Sequence, residues 1–303
     1  MDHTKSSPLI SVIIPCRDHS KELRTCLQGL RKQTTSWPYE IIVVDSAADV
    51  EVAETVSEFP FVRLISSDLG LLPGAARNLG AQYARGEYIA FTDADCVPEP
   101  GWLEAAFSAL KRRATIVGGP VLDVTPTSLI AAADNLLQFI DFPPHRRDGP
   151  ASYLPGCNIA LSKTAFEELG GFPPHLPVGE DVIFVTAAAA RWPDSAQFIR
   201  QMQIRHKGRN SLHSFWRHHE AFGYYRAKFG LRLRPIFQRL GRQSIYAVMI
   251  SLNRLPYFIL NTLRWNPLGL VRLFTLLPLL LLGLAAWAVG FRRGCRNVVV
   301  EAT

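Results

Sequence analysis

The chain has 303 residues, 48% of them hydrophobic, and a formal net charge of +7, which fits a packed α/β domain with an appendage. Its five cysteines (Cys16, Cys26, Cys96, Cys157 and Cys295) are scattered and form no C-x-x-C pair, which excludes a disulfide scaffold and a zinc finger. No Asp or Glu occurs from Ala221 to Val300 while Arg and Lys recur; that asymmetry points to an anionic partner, and the apolar content of the stretch favours lipid over nucleic acid.

The polar start Met1–Ser7 and the short apolar run Leu9–Pro15, soon interrupted by Arg17 and Asp18, predict no signal peptide and a domain on the cytosolic side. Leu9–Pro15 itself reads as a buried strand. Ser20–Gln33 carries Leu23, Cys26, Leu27 and Leu30 on one face and predicts a helix. Glu40–Asp45 is a second strand, Val50–Phe59 a helix, Phe61–Ser66 a third strand. Pro73–Arg85 opens with proline and is stopped by Gly86, as a helix would be. Tyr88–Asp93 is a fourth strand. Such alternation predicts a mainly parallel sheet, whose ligands bind at the carboxyl ends of the strands. Polar residues gather at those ends: Pro15-Cys16-Arg17-Asp18, Asp45, and Asp93-Ala94-Asp95.

Beyond the Trp102–Arg113 helix the pattern is mixed. Ile116–Val124 reads as strand, Ser128–Ile140 as helix and Asp141–Pro150 as loop. A short apolar strand follows Pro155-Gly156-Cys157-Asn158, then a helix ends at Gly170-Gly171, and Gly179-Glu180-Asp181 opens another to Arg191. Leu212, Phe215, Trp216, Phe222, Tyr225 and Phe229 recur at helical spacing among basic residues. They fit either core packing or an amphipathic helix lying on anionic lipid. Leu273–Phe291 is uncharged and bounded by Arg272 and Arg292-Arg293, long enough to span a bilayer core. Ser244–Leu263 is an imperfect second span or an interfacial helix.

D-x-D alone is common, and its plain reading is two solvated acids. Here it ends a strand, where alternate carboxylates can share a hard cation such as Mg²⁺ or Mn²⁺ with substrate phosphates. The context narrows this. The blocks SVIIPCRD (Ser11–Asp18), EIIVVDSAAD (Glu40–Asp49), GLLPGAARNLGAQYARGEYIAFTDADC (Gly70–Cys96), PGCNIALSKTAFEELGGF (Pro155–Phe172) and GED (Gly179–Asp181) occur in that order. Together they resemble the inverting family 2 glycosyltransferases over roughly residues 9–230.

The resemblance implies a GT-A fold, a Rossmann-like nucleotide-sugar-binding α/β domain with a mainly parallel sheet flanked by helices. It implies a nucleotide-diphosphate sugar as donor. Pro15, Arg17, Asp18 and Asp45 would hold the nucleotide base. Arg77 of A-R-N would lie near the donor, Asp93 would face its ribose or sugar, and Asp95 would bind the metal with His206 approaching. Asp181 of the E-D pair would be the catalytic base beside Glu180, whose repulsion raises the affinity of one acid for a proton. Gly156 and Asn158 would lie on the acceptor side. This chain departs from the family where P-x-Y-N becomes Pro15-Cys16-Arg17-Asp18, and where the acid ending the second strand is followed by Ser46-Ala47-Ala48-Asp49 without glycine. The Q-x-x-R-W signature of processive synthases is missing, so one sugar per encounter is expected.

The expected organisation is a catalytic domain over 1–230 and a basic, membrane-associated helical region over 231–303, at the cytoplasmic face of the cell membrane. The acceptor would be lipid-linked or a glycan, with no nucleic acid as partner. A nucleotidyltransferase and a non-catalytic nucleotide-binding membrane protein are the alternatives. The first would show a Gly-rich, lysine-bearing loop after strand one, and SVIIPCRD has neither.

Overall fold

A computed structural model describes residues 8–18, 20–112, 114–124, 128–194, 196–230, 240 and 243–297. The chain divides into two compact units, Met1–Leu122 with Pro144–His206, and Asp123–Pro143 with Lys207–Thr303. The division falls elsewhere than the expected boundary at 230, because the helix that starts at Leu212 packs with the C-terminal helix of the second unit.

The first unit begins with β1 (Ile10–Cys16), α1 (Ser20–Arg31), β2 (Tyr39–Asp45), α2 (Val50–Ser57), β3 (Val62–Ser66), α3 (Pro73–Tyr83), β4 (Tyr88–Phe91), β5 (Cys96–Pro98), α4 (Trp102–Lys111), β6 (Ile116–Gly118) and β7 (Val121–Asp123). After α5, which belongs to the second unit, it continues with β8 (Gly149–Pro150), a 3-10 turn Gly156–Asn158, β9 (Ile159–Ser162), α6 (Lys163–Glu168), α7 (Glu180–Arg191), β10 (Ala196–Phe198) and β11 (Ile204–His206).

One sheet has the order β3-β2-β1-β4-β9-β6-β10-β8, with β9 antiparallel to both its neighbours and β8 antiparallel to β10. The remaining pairs, including β1 with β2 and β4, are parallel. Strand β1 sits inside this sheet, which explains why Val12, Ile13 and Ile14 are wholly buried and show no alternation. A smaller sheet runs β5-β11-β7. The stretch 116–124, expected as one strand, is split by Gly119-Pro120 into β6 and β7, one for each sheet; proline cannot donate to a ladder.

Helix α1 buries Leu23, Cys26, Leu27 and Leu30 as its spacing implies. Helix α3 starts with Pro73 at its first turn and lies close over β1 and β2. A Cβ at Gly80 would stand 2.4 Å from Ile13 Cγ2 and 3.1 Å from Val44 Cγ2. Gly80→Ala should therefore lower stability by about 1–3 kcal/mol through overpacking. Gly101→Ala, which meets nothing within 4 Å, should melt like the parent. Thermal unfolding of the two variants checks this.

The second unit contains α5 (Leu129–Phe139), α8 (Leu212–Gly230), α9 (Ser244–Leu252), α10 (Arg254–Trp265), α11 (Gly269–Thr275) and α12 (Leu277–Arg296). Phe215, His219, Gly223 and Ala227 make the buried stripe of α8. Cβ atoms at Gly223, Gly290 and Gly294 would collide with backbone carbonyls of the facing helix, at 1.9, 1.8 and 2.4 Å. Helix α8 thus packs on α12 through a face that shares only Phe215 with the expected stripe: Leu212 is exposed, Trp216, Phe222 and Tyr225 are half-buried, and the side chain of Phe229 lies outside the described residues. Two further expectations change. The apolar run 273–291 is interrupted at Leu276, where α11 gives way to α12. Helix α12 has the length and composition to cross a membrane, yet half of it is buried in the protein. The run 244–263 is two helices meeting at Asn253.

Candidate active site

Parallel pairing brings the carboxyl ends of β1, β2 and β4 to one edge. Cys16 pairs with Asp45, and Ser46 donates through its amide and its hydroxyl to the Cys16 carbonyl, both at 3.0 Å. Thr92 N–H donates to the Ile13 carbonyl at 3.2 Å, so Asp93 and Asp95 follow at the same edge. Pro15 is half-buried. Arg17 and Asp18 project into solvent with side chains 57% and 74% exposed, and Asp18 has φ +55°. Asp45 takes a different task from the one expected. It is fully buried, with one carboxylate oxygen accepting the Ala47 N–H at 3.1 Å and the other the Asp49 N–H at 2.7 Å. It shapes the turn instead of offering its carboxylate to a base.

Arg77 is the hub. It is 3% exposed, and its two terminal nitrogens donate to Asp93 Oδ1 and Glu180 Oε1, each at 2.6 Å. Its Nε has no hydrogen-bond partner among the described residues, and its guanidinium lies 5.4 Å from the Phe172 ring centre. Both ends of the Arg77 fork are thus engaged by carboxylates. Asp93 and Glu180, on the two sides of Arg77, hold their protons above the usual carboxylate range. For Asp93 burial is the chief cause, opposed by Arg77 and reinforced by Asp95. For Glu180 it is burial, then Asp181, opposed by Arg77. Glu180 is 6% exposed and is held as the partner of Arg77.

Asp181 sits in the first turn of α7, after Gly179 has turned the chain with φ +86°. Such a left-handed residue favours glycine. Oδ2 of Asp181 accepts the Tyr153 hydroxyl at 3.0 Å and the Gly156 N–H at 2.8 Å; Oδ1 accepts the Val182 N–H at 2.8 Å. Burial, then the Asp181 charge, push the Tyr153 phenol well above its usual range, so it remains a donor. Gly156 therefore positions Asp181. A Cβ there would meet Asp181 Cβ at 3.0 Å and Arg77 Nη2 at 3.4 Å. Asn158, expected beside the acceptor, is fully buried. Its Oδ1 accepts from Trp102 Nε1 at 2.8 Å, and its amide donates to the carbonyls of Pro120 and Met202 at 3.1 and 2.9 Å. With those groups engaged it ties α4 to the connections at Pro120 and Met202.

Antiparallel pairing of β5 with β11 sets His206 opposite Cys96. That register brings His206 Nε2 to 3.6 Å from Asp95 Oδ2, the imidazole 7% and the carboxylate 24% exposed. No group of three His, Cys, Asp or Glu among the described residues forms a cage for an ion. The pair does offer one oxygen and one nitrogen donor, a set that suits an ion taking its other ligands from substrate phosphates and water. A separate cavity of about 650 Å³, lined by Glu104, Arg112, Asp148 and Asp194, contains none of these acids.

Sequence reasoning missed Tyr153 and Asn78. Asn78 accepts the Phe172 N–H at 2.8 Å and donates to its carbonyl at 2.7 Å, fixing the loop that carries Phe172 against Arg77. Its place beside Arg77 in A-R-N was the available signal. Tyr153 had none, since a lone tyrosine in a loop has no spacing to read.

Residues 11–170 match the family described as Glycosyl transferase family 2. Glycosyltransferase AglE of Haloferax volcanii is 27% identical over 184 residues, 59% of this chain and 60% of that protein. The pre-mycofactocin glycosyltransferase of Mycobacterium tuberculosis is 30% identical over 186 residues, 57% of this chain and 37% of that one. The matches thus span less than two thirds of these relatives. Among solved structures, S. aureus TarS superposes with a TM-score of 0.52 at 17% identity, covering 71% of this chain and 39% of TarS. That likeness is one of fold.

Proposed function

Because the chain belongs to family 2 of the glycosyl transferases, we propose that it moves one sugar from a nucleotide-diphosphate sugar to a hydroxyl acceptor by direct displacement with inversion. The observation that carries this reading is the Asp181 carboxylate, oriented by Tyr153, Gly156 and Val182 beside Glu180, which Arg77 joins to Asp93. Among the described residues Oδ1 of Asp181 accepts one N–H, from Val182, which leaves a lone pair for a hydroxyl proton. As that proton moves to Asp181, the acceptor oxygen attacks the anomeric carbon. The bond to the diphosphate breaks, and its electron pair leaves with the nucleoside diphosphate. One base suffices for this route.

Asp95 and His206 would hold Mg²⁺ or Mn²⁺, which when bound supplies positive charge to the departing diphosphate. Asp93, anchored by Arg77, faces the ribose or sugar, and the exposed Arg17 and Asp18 lie on the base side. Asp95→Asn is expected to weaken Mn²⁺ binding in the presence of a nucleoside diphosphate by at least about tenfold. Calorimetry measures it. Unchanged affinity would remove the ion from Asp95.

The acid-free stretch 221–300 and the apolar α12 support work at the cytoplasmic face of a membrane, on a lipid-linked or cell-surface glycan acceptor. Release of nucleoside diphosphate, screened over UDP- and GDP-sugars with membranes and with delipidated protein, tests donor and lipid requirement together. Equal turnover without any lipid fraction would separate the enzyme from the membrane.

A further inference from the structure

The membrane part of that reading leaves open what the second unit offers a lipid. A groove of about 490 Å³ opens between α9 and α12, within the usual size range of small-molecule sites, ~300–1,000 Å³. Its walls are small and apolar: Ala247 and Val248 from α9, Ala285 and Val289 from α12. Its other end is basic, with Arg292, Arg293 and Arg296 from the last turns of α12. Along α12 the lining thus runs from apolar to cationic, the polarity of an amphiphile with an acidic head.

Charge complementarity selects the occupant. Three arginines lie together at one end of the groove, of which Arg293 pairs through Nη1 with Glu220 Oε1 at 2.7 Å, so that end is cationic on balance. Cations near a helix C-terminus offset its dipole, which accounts for basic residues there, though not for the apolar wall leading to them. Other apolar side chains of the same unit are exposed. Ile245 and Met249 on α9 are 71% and 64% exposed, and Val271 and Phe274 on α11 are 75% and 55% exposed. Each is large and apolar, and water is a poor neighbour for so many. A bilayer interface covers such faces while arginines reach its phosphates.

We propose that the groove between α9 and α12 holds one anionic phospholipid of a bilayer surface, its phosphate against Arg292 and Arg296 and its chain along Ala247, Val248, Ala285 and Val289. The apolar faces of α9 and α11 then rest in the same interface, and α12 stays packed on α8 instead of crossing the membrane.

The test titrates the full chain with dihexanoyl phosphatidylglycerol below its micelle concentration, beside dihexanoyl phosphatidylcholine and inorganic phosphate. Phosphatidylglycerol is expected to bind at least about tenfold more tightly than either. Ala285→Trp, at an exposed position, fills the groove without touching its charge, and Val289→Asp puts an acid on the wall. Arg292→Gln with Arg296→Gln removes the charge. Each change should weaken phosphatidylglycerol by about tenfold or more, whereas Arg264→Gln on α10 should not. The proposal is overturned if Ala285→Trp and Val289→Asp bind like the parent, or if inorganic phosphate binds as tightly as the lipid. It is also overturned if the lipid-free chain is a dimer that the groove changes break apart. Sedimentation with phosphatidylglycerol vesicles reports on the membrane reading separately. A chain that binds the dispersed lipid but ignores vesicles keeps the groove and loses the membrane.

Discussion

Replacing Asp181 with Asn is expected to lower turnover by roughly 10²–10⁴-fold, the usual worth of a general base, with donor affinity nearly unchanged. Asn keeps the shape, and its carbonyl oxygen can still accept from the Tyr153 hydroxyl and the Gly156 amide, which now hold Oδ2. What it loses is the ability to take a proton. The donor contacts proposed at Arg17 and Asp18 are elsewhere on the sheet edge and should not notice. Tyr153→Phe separates orientation from chemistry: it removes one donor and leaves the acid, so a smaller loss is expected with a shifted pH profile for kcat. The measurement is nucleoside diphosphate release alongside equilibrium binding of the donor. If Asp181→Asn turned over normally while Glu180→Gln did not, the assignment of the base within the pair would be reversed.

Much of the first unit could be read from the chain because its signals are local. The runs 9–15 and 40–45 are strands because β-branched residues crowd them, and Pro73 and Gly86 bracket a helix by backbone chemistry alone. The place of a candidate residue was legible where a motif directly follows a strand, as Asp93-Ala94-Asp95 does between β4 and β5. What a side chain meets was not legible where its partner comes from far along the chain. Arg77 meets Glu180 from 103 residues away and Asn158 meets Trp102 from 56. No period or spacing encodes such a meeting, so neither the clamp on Arg77 nor the burial of the Asn158 amide could be read from the chain. The C-terminal helices were less legible for a different reason. Composition records how apolar a segment is, and Leu280, Leu284 and Phe291 are buried by protein, a solvent that hydropathy does not distinguish from lipid.

Removing Arg77 should cost about 3–5 kcal/mol of stability, because it strands a buried carboxylate instead of merely deleting a pair. Glu180 is 6% exposed and has its Oε1 on Arg77 at 2.6 Å; in Arg77→Met that charge has no counterion in its place. The pH dependence gives the signature. Asp93 and Glu180 both bind their protons more tightly folded than unfolded, burial being the first cause. The stability they contribute is therefore fully present below the usual carboxylate range and is lost as pH rises through their raised folded values. Arg77 opposes that rise at both acids, so without it the raised values climb further and the loss extends to higher pH. Arg77→Met should consequently lie nearest the parent at about pH 5 and fall furthest below it at about pH 8. Thermal unfolding at the two values measures the gap. Adding Glu180→Leu to Arg77→Met should recover much of the stability, since a buried ion pair exchanged for apolar side chains is often close to neutral. A gap independent of pH, together with a double variant no better than the single one, would mean that Arg77 acts by packing against Phe172 and not by charge.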